Sequence, residues 1–451
     1  MQTKILAEFA AGLRYEDIPE DVRARARDCI QDTVGVAVFG ARLPWSKMVA
    51  DYARRNGAGG TCRILGMPGA KVSAPMAALA NGASVHAFEM DCLRKPSAGV
   101  HPGGLVPAAL AVAEAEGAGG RALITAFVAA MEVTTRIGLA TRHSSEEKGF
   151  HNPGLTGVFG SVAAAGSLLG LDAGRMTNAF GIGGSLCSGL MEFAKSGGGG
   201  MVKRLHIGRA AEGGVLAASL AAEGFEGPAT VLEGRFGFLT AFADNAAPEM
   251  LTQGLGTTWD TRTICFKRYA CHATAQTPVQ GLGDLRKEAG FAAEDVVEIV
   301  LGTSKRVLAN HDIRKPADVM GAQYSVPFSI ALSFFHDPMD PRSFLNADLS
   351  DPAVHDLCDK IRLEHFDESA KLGQAWVCRV RVRLKDGRTL DRTLTDFRGS
   401  PTTPMSPEEF DGKFRAATRD LGRDASARLL AGLNRLEEQP SVADLLKLTA
   451  A

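Results

Sequence analysis

Helical segments built largely from alanine and glycine fill most of the first 260 residues, and they restrict the possible folds more than any other feature. Apolar residues recur at helical spacing in residues 21–41, 103–117, 121–140, 157–170 and 209–224. The chain has 51 glycines, and only 6% of its residues are aromatic. Small side chains allow neighbouring helices to approach closely. The pattern therefore predicts a tightly packed helical body.

Glycine-rich stretches separate these segments, and we expect them to be joints between helices. They lie at residues 117–120, 181–184 and 196–200. Ser73, followed by Pro75, is expected to start one further helix, which carries the sequence ANGASVHAFEMD.

The pattern changes after residue 262 and becomes partly strand-like. Residues 294–304 have an apolar, strand-like core, and residues 375–397 alternate apolar and polar side chains around a turn at 385–388. The arginines of this alternating stretch could bind an anion, but a solvated sheet face explains them better. Helical pattern returns after the sequence Ser406-Pro407-Glu408-Glu409, which fits a capping box.

These patterns predict a mainly α protein with an α+β insert. We expect residues 1–265 together with 400–451 to form a large helical domain, a helical bundle. Residues 266–399 are expected to form a smaller α+β domain.

Composition limits the partners and the compartment. The 451 residues are 45% hydrophobic and 22% charged, with a formal net charge of −1, which does not favour nucleic acid as a partner. The amino-terminal sequence resembles neither a signal peptide nor a membrane span. The eight cysteines form no CxxC pair and lack metal-ligand spacing. We therefore expect reduced thiols, a cytoplasmic location, and neither membrane nor nucleic acid as a partner.

Familiar cofactor motifs are incomplete in this sequence. The stretch 181–189 has Leu186 where a dinucleotide fingerprint needs its third glycine, and the glycine run at 197–200 lacks the Gly-Lys-Ser/Thr ending of a phosphate loop. The motifs GxSxG and HExxH do not occur. We therefore expect no nucleotide cofactor and no metal.

The stretch HAFEMDCLRKPSAGVHPGG, residues 86–104, gathers charged side chains after a bland apolar helix. If the helix continues, His86 and Glu89 share one of its faces. Asp91 follows, and His101 precedes a proline that disfavours helix at that residue. His101 is thus expected in a loop at a helix start, where anions bind favourably; surface decoration is the alternative.

Four further stretches carry basic or phenolic side chains close to helix starts or to the domain boundary. Surface charge and ordinary hydrogen bonding are the structural alternatives for them. The residues are His151; Lys203, Arg204 and His206; Lys267, Arg268 and His272; and Tyr324, which is expected to open an apolar helix. Cations, histidines and a phenol together suit the binding of a di- or tricarboxylate and proton transfer beside a carboxylate.

The same stretches, in this order, resemble the MmgE/PrpD family, which includes 2-methylcitrate dehydratase, cis-aconitate decarboxylase and iminodisuccinate epimerase. The matching segments are ANGASVHAFEMD with HPGG, GFHNPGLTG, MVKRLHIGRAA, FKRYACHAT and AQYSVPFSIAL. The resemblance implies two domains with a site at their interface, a cofactor-free enzyme and a homodimer.

The resemblance also implies roles for individual residues. It matches family active-site positions at His101, His151, Lys203, Lys267, His272 and Tyr324. Substrate binding is expected from Glu89, Asp91, Arg204 and Arg268.

One motif departs from the family pattern. Dehydratase- and decarboxylase-like members usually carry Asp-Phe-Asp/Asn-Asp followed by Thr, whereas this chain has Glu89-Met90-Asp91-Cys92-Leu93. We expect this stretch to determine substrate choice. A carboxylate at position 89 would repel a substrate carboxylate unless a cation or a proton intervenes.

The function that we predict is a cofactor-independent lyase, a dehydratase or a decarboxylase, that acts on a small di- or tricarboxylate. The alternatives are an isomerase or epimerase of the iminodisuccinate type and a non-catalytic carboxylate-binding homologue.

Overall fold

Two compact units make up the protein in the computed structural model, which describes residues 1–69, 71–95, 100–194, 199–367 and 376–450. The first, here called the helical unit, comprises Met1–Ala87, Asp91–Cys265 and Ala417–Ala451. The second, here called the insert unit, comprises Phe88–Met90 and Phe266–Ala416. These limits differ from the expected domains at residues 88–90 and 400–416, which belong to the insert unit.

The helical unit consists of helices with two small two-stranded ladders. Its helices are α1 (Gln2–Gly12), α2 (Glu20–Ala41), α3 (Pro44–Asn56), α4 (Ala74–Val85), α5 (Val106–Ala115), α6 (Gly120–Ala140), α7 (Ser144–Glu147), α8 (Asn152–Leu168), α9 (Ala173–Gly184), α10 (Val202–Ala222) and α11 (Phe238–Phe242). The antiparallel ladders pair β1 (Cys62–Arg63) with β2 (Lys71–Val72), and β3 (Leu93–Arg94) with β4 (Ile264–Cys265).

Small residues bring α4, α8 and α10 into close contact, as the sequence predicts. A Cβ atom on Gly208 of α10 would lie 2.5 Å from the carbonyl oxygen of Leu79, and one on Gly82 of α4 would lie 2.7 Å from the Cα of Gly208. On the other side of α10, a Cβ on Gly214 would lie 2.2 Å from the side chain of Ser161 on α8. The close packing of these three helices determines where their ends lie.

Helix α6 is buried and carries a fixed ion pair. It is long and apolar enough to span a membrane, but 89% of its most apolar window is buried inside the protein, as in the core helix of a soluble protein. The Glu132 carboxylate accepts a hydrogen bond from Arg136 at 2.7 Å. It also accepts hydrogen bonds from the backbone N–H groups of Asp260 and Thr261. Asp260 also pairs with Arg94 of β3. This buried network anchors β3 and β4.

The insert unit combines helices with a four-stranded sheet. Its helices are α12 (Ala273–Ala289), α13 (Lys305–Asn310), α14 (Val319–Tyr324), α15 (Val326–Phe335), α16 (Arg342–Leu345) and α17 (Pro352–Asp359). The strands are β5 (Val296–Thr303), β6 (Ile361–His365), β7 (Cys378–Leu384) and β8 (Thr389–Leu394), in the order β6-β5-β7-β8. Strands β5 and β6 are parallel, and the other neighbours are antiparallel.

The arginines of β7 lie on a charged face of this sheet, and its alternate residues are buried. Arg379 pairs with Asp391, Arg381 with Glu364, and Arg383 with Glu298 at 3.5 Å. Their side chains are 37% to 56% exposed. The solvated-face interpretation therefore accounts for the stripe.

Three helices close the chain: α18 (Pro407–Thr418), α19 (Arg423–Leu433) and α20 (Val442–Lys447). The predicted capping box of α18 is present, because Ser406 N–H donates to the Glu409 carboxylate at 3.0 Å and Glu409 N–H donates to the Ser406 hydroxyl at 3.2 Å. Helix α19 packs on α2, and α20 packs on α5.

A mainly α fold with a small mixed sheet is thus confirmed, but several local predictions were wrong. Helix α4 ends at Val85, so His86 and Glu89 do not share a helical face. Residues 181–184 lie inside α9 and do not form a joint. Tyr324 ends α14 and does not open α15, because Ser325 caps the next helix. The glycine run at 196–200 lies partly outside the described residues.

Candidate functional site

One carboxylate oxygen joins two histidines in the helical unit. Oδ2 of Asp91 lies 3.0 Å from Nδ1 of His86 and 2.7 Å from Nδ1 of His101. An ionised carboxylate only accepts hydrogen bonds, so each Nδ1 carries the proton. The Asp91 side chain has no exposed area, whereas that of His101 is 24% exposed. We call these three residues the Asp91 group.

Helix ends position the Asp91 group. His86 is the first residue after α4, and His101 precedes the 3₁₀ turn Pro102–Gly104, as the Pro102 signal predicts. A Cβ on Gly103 would lie 3.0 Å from the hydroxyl of Thr33 and 3.4 Å from the sulfur of Cys92. The absence of a side chain at Gly103 therefore lets this turn pack against Thr33 of α2.

Burial keeps His86 neutral. It lowers the pKa of His86 to about 4, and the charge of Lys203 acts in the same direction, while Asp91 opposes both. Nε2 of His86 is buried and makes no hydrogen bond to any described residue. In this group His86 orients Asp91, and His101 is the histidine with access to solvent.

The Asp91 group also meets the spacing of a metal site. Its possible ligand atoms lie within 4.8 Å of one another. Imidazole nitrogens and a carboxylate oxygen suit zinc or another transition metal. Hydrogen bonds explain the same distances, so the expectation that no metal takes part stays a prediction, which activity after treatment with a chelator would test.

A second pair of histidines lies beside this group. Nδ1 of His151 is 2.9 Å from Nδ1 of His206, and the His151 ring centroid is 5.8 Å from that of His86. His151 precedes α8, as its Asn-Pro-Gly break predicts, whereas His206 and Lys203 lie on the first two turns of α10.

The electrostatic environment disfavours protonation of this pair. Burial lowers the pKa of His151 well below its usual range, and the charges of its histidine neighbours and of Lys203 lower it further. Burial and then Lys203 also lower the pKa of His206. Lys203 is buried, with 7% of its area exposed. The helical unit therefore brings together Asp91, His101, His151 and Lys203 of the predicted residues.

The insert unit has its own charged group around Glu89. Nζ of Lys267 donates to Oε2 of Glu89 at 3.0 Å, and the Tyr324 hydroxyl makes a long hydrogen bond of 3.4 Å to Oε1. Glu89 and Lys267 are 7% and 2% exposed. Glu89 has φ +53°, an unfavourable conformation for a residue with a side chain. Lys267 is thus the cation that intervenes at Glu89.

Aromatic side chains surround His272 in the same unit. The ring of His272 stacks on that of His311 at a centroid distance of 4.3 Å and lies 4.8 Å from that of Tyr324. Its Nδ1 lies 2.9 Å from the Thr274 hydroxyl. Nδ1 of His311 lies 3.0 Å from the backbone oxygen of Tyr324, and because a carbonyl only accepts, this Nδ1 carries the proton and donates it.

The two arginines expected to bind substrate are engaged in packing. Arg204 stacks on Trp45, 4.1 Å from the ring centroid, and donates to the backbone oxygen of Ala87 at 3.1 Å. Arg268 pairs with Glu409 at 2.9 Å and donates to the Tyr269 hydroxyl. These contacts give both guanidinium groups structural partners, and their roles in substrate binding stay predictions.

Sequence reasoning left three histidines out of the predicted site: His86, His206 and His311. His86 and His206 lie within charged stretches of the sequence. Only their contacts with histidines of the predicted site, which the structure shows, distinguish them from surface histidines. His311 lies outside every matched segment, and no sequence signal marked it. The expected convergence of Lys203, Lys267 and His272 with His101 and His151 stays a prediction.

Family models match most of the chain. The MmgE/PrpD N-terminal domain matches residues 4–251, and the MmgE/PrpD C-terminal domain matches residues 269–436.

Curated relatives match along nearly the whole length. Cis-aconitate decarboxylase of Aspergillus terreus is 30% identical over 475 residues, covering 98% of this chain and 95% of the relative. The Mus musculus and Homo sapiens proteins of the same name are 28% identical, covering 99% and 97% of this chain and 93% and 92% of the relatives.

At the family level this similarity supports a lyase that acts on a tricarboxylate, and it gives no support to the isomerase alternative. Both domain models and the relatives agree on one assignment: the chain belongs to the MmgE/PrpD family.

Proposed function

We propose that this protein is a cofactor-independent lyase that decarboxylates cis-aconitate or a closely similar unsaturated tricarboxylate. The observation that carries the proposal is the Asp91 group, in which one buried carboxylate orients a partly exposed histidine. The relatives named cis-aconitate decarboxylase support the choice of substrate and of decarboxylation over dehydration.

In this proposal His101 supplies the proton. Loss of CO2 leaves the bonding electron pair on the carbon skeleton, and a carbon atom of that skeleton must take up one proton. Asp91 accepts a hydrogen bond from Nδ1–H of His101 and stabilises the imidazolium form. Nε2 of that imidazolium can then donate its proton to carbon. Solvent can then restore the proton, because the His101 side chain is partly exposed.

His151 and Lys203 stabilise negative charge in this proposal. A neutral imidazole can donate a hydrogen bond to an oxyanion without giving up its proton, and the low pKa of His151 keeps it neutral. Lys203 adds a buried positive charge within electrostatic range of the histidines. Both residues stabilise the negative charge that develops in the transition state.

The cluster of Glu89, Lys267 and Tyr324, here called the Glu89 group, recognises the substrate in this proposal. Lys267 balances the charge of Glu89, so a carboxylate approaching Glu89 meets less repulsion than an isolated acid would cause. The Tyr324 hydroxyl and the imidazole of His272 supply further polar contacts.

Replacement of Glu89 by Asp and Leu93 by Thr should move the substrate preference toward hydroxylated tricarboxylates.

The experiment is incubation of the purified protein in D2O with cis-aconitate, 2-methylcitrate, citrate and iminodisuccinate, each followed by NMR and by release of CO2. We expect CO2 only from cis-aconitate, with one deuterium on carbon per molecule of CO2. Protein with the exposed His336 replaced by Gln is the matched control and should behave like the original protein.

Other outcomes would replace the proposal. Loss of water from a hydroxylated substrate without CO2 would identify a dehydratase. Thermal stabilisation by a carboxylate without any turnover would identify a non-catalytic binding protein. The cytoplasmic location and the homodimer are separate predictions, and cell fractionation and sedimentation analysis would test them.

A further inference from the structure

His151 and His206 face each other through the same kind of ring atom. Their Nδ1 atoms are 2.9 Å apart, a hydrogen-bond distance. A neutral imidazole carries one N–H, so one Nδ1 donates here and the other accepts. The two rings must therefore adopt opposite tautomers, and the choice made by one fixes the other.

The surroundings hold this contact in place. The Phe193 ring packs edge-on against both imidazoles, with centroid distances of 5.1 Å to His151 and 5.8 Å to His206. Phe193 is held near His151 by an antiparallel bridge, in which His151 N–H donates to the Gly189 oxygen at 3.0 Å and Met191 N–H donates to the Gly149 oxygen at 2.8 Å.

Two glycines make room for the pair. Gly189 has φ +137°, and a Cβ there would lie 3.3 Å from Nδ1 of His206. A Cβ on Gly154 would lie 2.4 Å from the Ser188 oxygen and 3.1 Å from the Cβ of His206. The approach of His206 to His151 thus depends on the absence of side chains at both positions.

We propose that His206 is a positioning residue, which donates its Nδ1 hydrogen to Nδ1 of His151 and thereby keeps the proton of His151 on Nε2. The direction rests on the proposed function, in which His151 must donate to an anion. Nε2 of His151 makes no hydrogen bond within the part of the chain that the structure describes, so it is available to a substrate. The opposite direction would present a lone pair to an anionic substrate.

Replacement of His206 separates this role from simple packing. His206→Leu removes the donor, and we expect kcat to fall by about 10- to 100-fold, the usual effect of losing an orienting partner, with KM within about twofold. His206→Asn can place an amide N–H near the former Nδ1 and should restore most of kcat. His336→Leu, at an exposed histidine, should leave both constants unchanged.

The deciding experiment is NMR of the ligand-free protein labelled with ¹⁵N-histidine, with the His151 signals assigned by their loss in His151→Asn. We expect His151 to be protonated at Nε2 in the original protein and in His206→Asn, and to show mixed tautomers in His206→Leu. Protonation at Nδ1 in the original protein would overturn the proposal, as would an unchanged tautomer in a folded His206→Leu protein.

This readout needs no substrate. If His206→Leu does not fold, the original protein and His206→Asn still decide the question, since protonation of His151 at Nδ1 in either contradicts the proposed direction. Failure to release CO2 from cis-aconitate would refute the proposed function and would leave the tautomer result standing.

Discussion

Asp91 and Glu89 are two positions apart in the chain, and yet they belong to different units and have different partners. In the helical unit, Asp91 accepts hydrogen bonds from two imidazoles, of which His86 is buried and neutral and His101 is partly exposed to solvent. In the insert unit, Glu89 accepts hydrogen bonds from the ammonium group of Lys267 and the phenol hydroxyl of Tyr324. The partners, rather than the acids, thus suit one group to proton transfer and the other to fixed-charge recognition.

The largest effect on stability is expected from breaking the ion pair of the insert unit. Lys267→Met leaves Glu89 buried without its cation and should lower the free energy of unfolding by about 3–5 kcal/mol. Adding Glu89→Gln should recover most of that loss, because the uncompensated charge disappears. Chemical denaturation measures both, and the exposed Lys315→Met is the control, expected within about 0.5 kcal/mol of the original protein. Equal losses in the single and double variants would contradict the pairing.

In the helical unit, the buried neutral His86 should make the free energy of unfolding depend on pH. The pKa of His86, about 4 in the folded protein, lies below the value of about 6.5 for an unfolded chain. Between these values the unfolded state binds more protons, so the free energy of unfolding decreases as pH falls.

For His86 alone this amounts to about 2 kcal/mol between pH 7 and pH 5. Denaturation at the two pH values should show a smaller decrease in His86→Asn and an unchanged decrease in His336→Asn, where the histidine is exposed. A decrease that His86→Asn does not reduce would show that His86 is not held neutral by burial.

Smaller changes in the free energy of unfolding are expected from glycine substitutions that compare helix packing in the two units. Gly208→Ala places a methyl group against the Leu79 oxygen of α4 and should cost about 1–3 kcal/mol, because the helices must separate. Gly283→Ala in α12 meets no atom within 4 Å and should stabilise by about 0.5–1 kcal/mol. Thermal and chemical denaturation distinguish the two signs. A neutral Gly208→Ala would show that the close approach of α4 and α10 is not required.

Periodic patterns predicted the fold well because they depend on short-range rules. The helix over 121–140 and the hairpin in 375–397 both appear, since each has a clear apolar period and recognisable ends. The run after Val85 was mispredicted, because residues favourable to helix continue there while the backbone turns at Glu89 with φ +53°. Tertiary contacts of Glu89, which no local pattern shows, favour that turn.

The candidate site was predicted in composition but not in arrangement. His101 directly precedes Pro102 and His151 precedes an Asn-Pro-Gly break, and these signals placed both correctly at helix starts. The sequence could not show that one oxygen of Asp91 serves two histidines, or that His206 meets His151, because these contacts join residues far apart in the chain. His311 was missed for the same reason, since it contacts His272 only through the fold of the insert unit.

The rate of CO2 release from cis-aconitate by the original protein and by His101→Gln tests most directly whether His101 supplies the proton in a decarboxylation. We expect turnover by the original protein and a kcat lower by about 10²–10⁴-fold in the variant, with KM within about threefold, because the proton donor is lost while the binding groups remain. An unchanged kcat in His101→Gln, or no release of CO2 by the original protein, would contradict it.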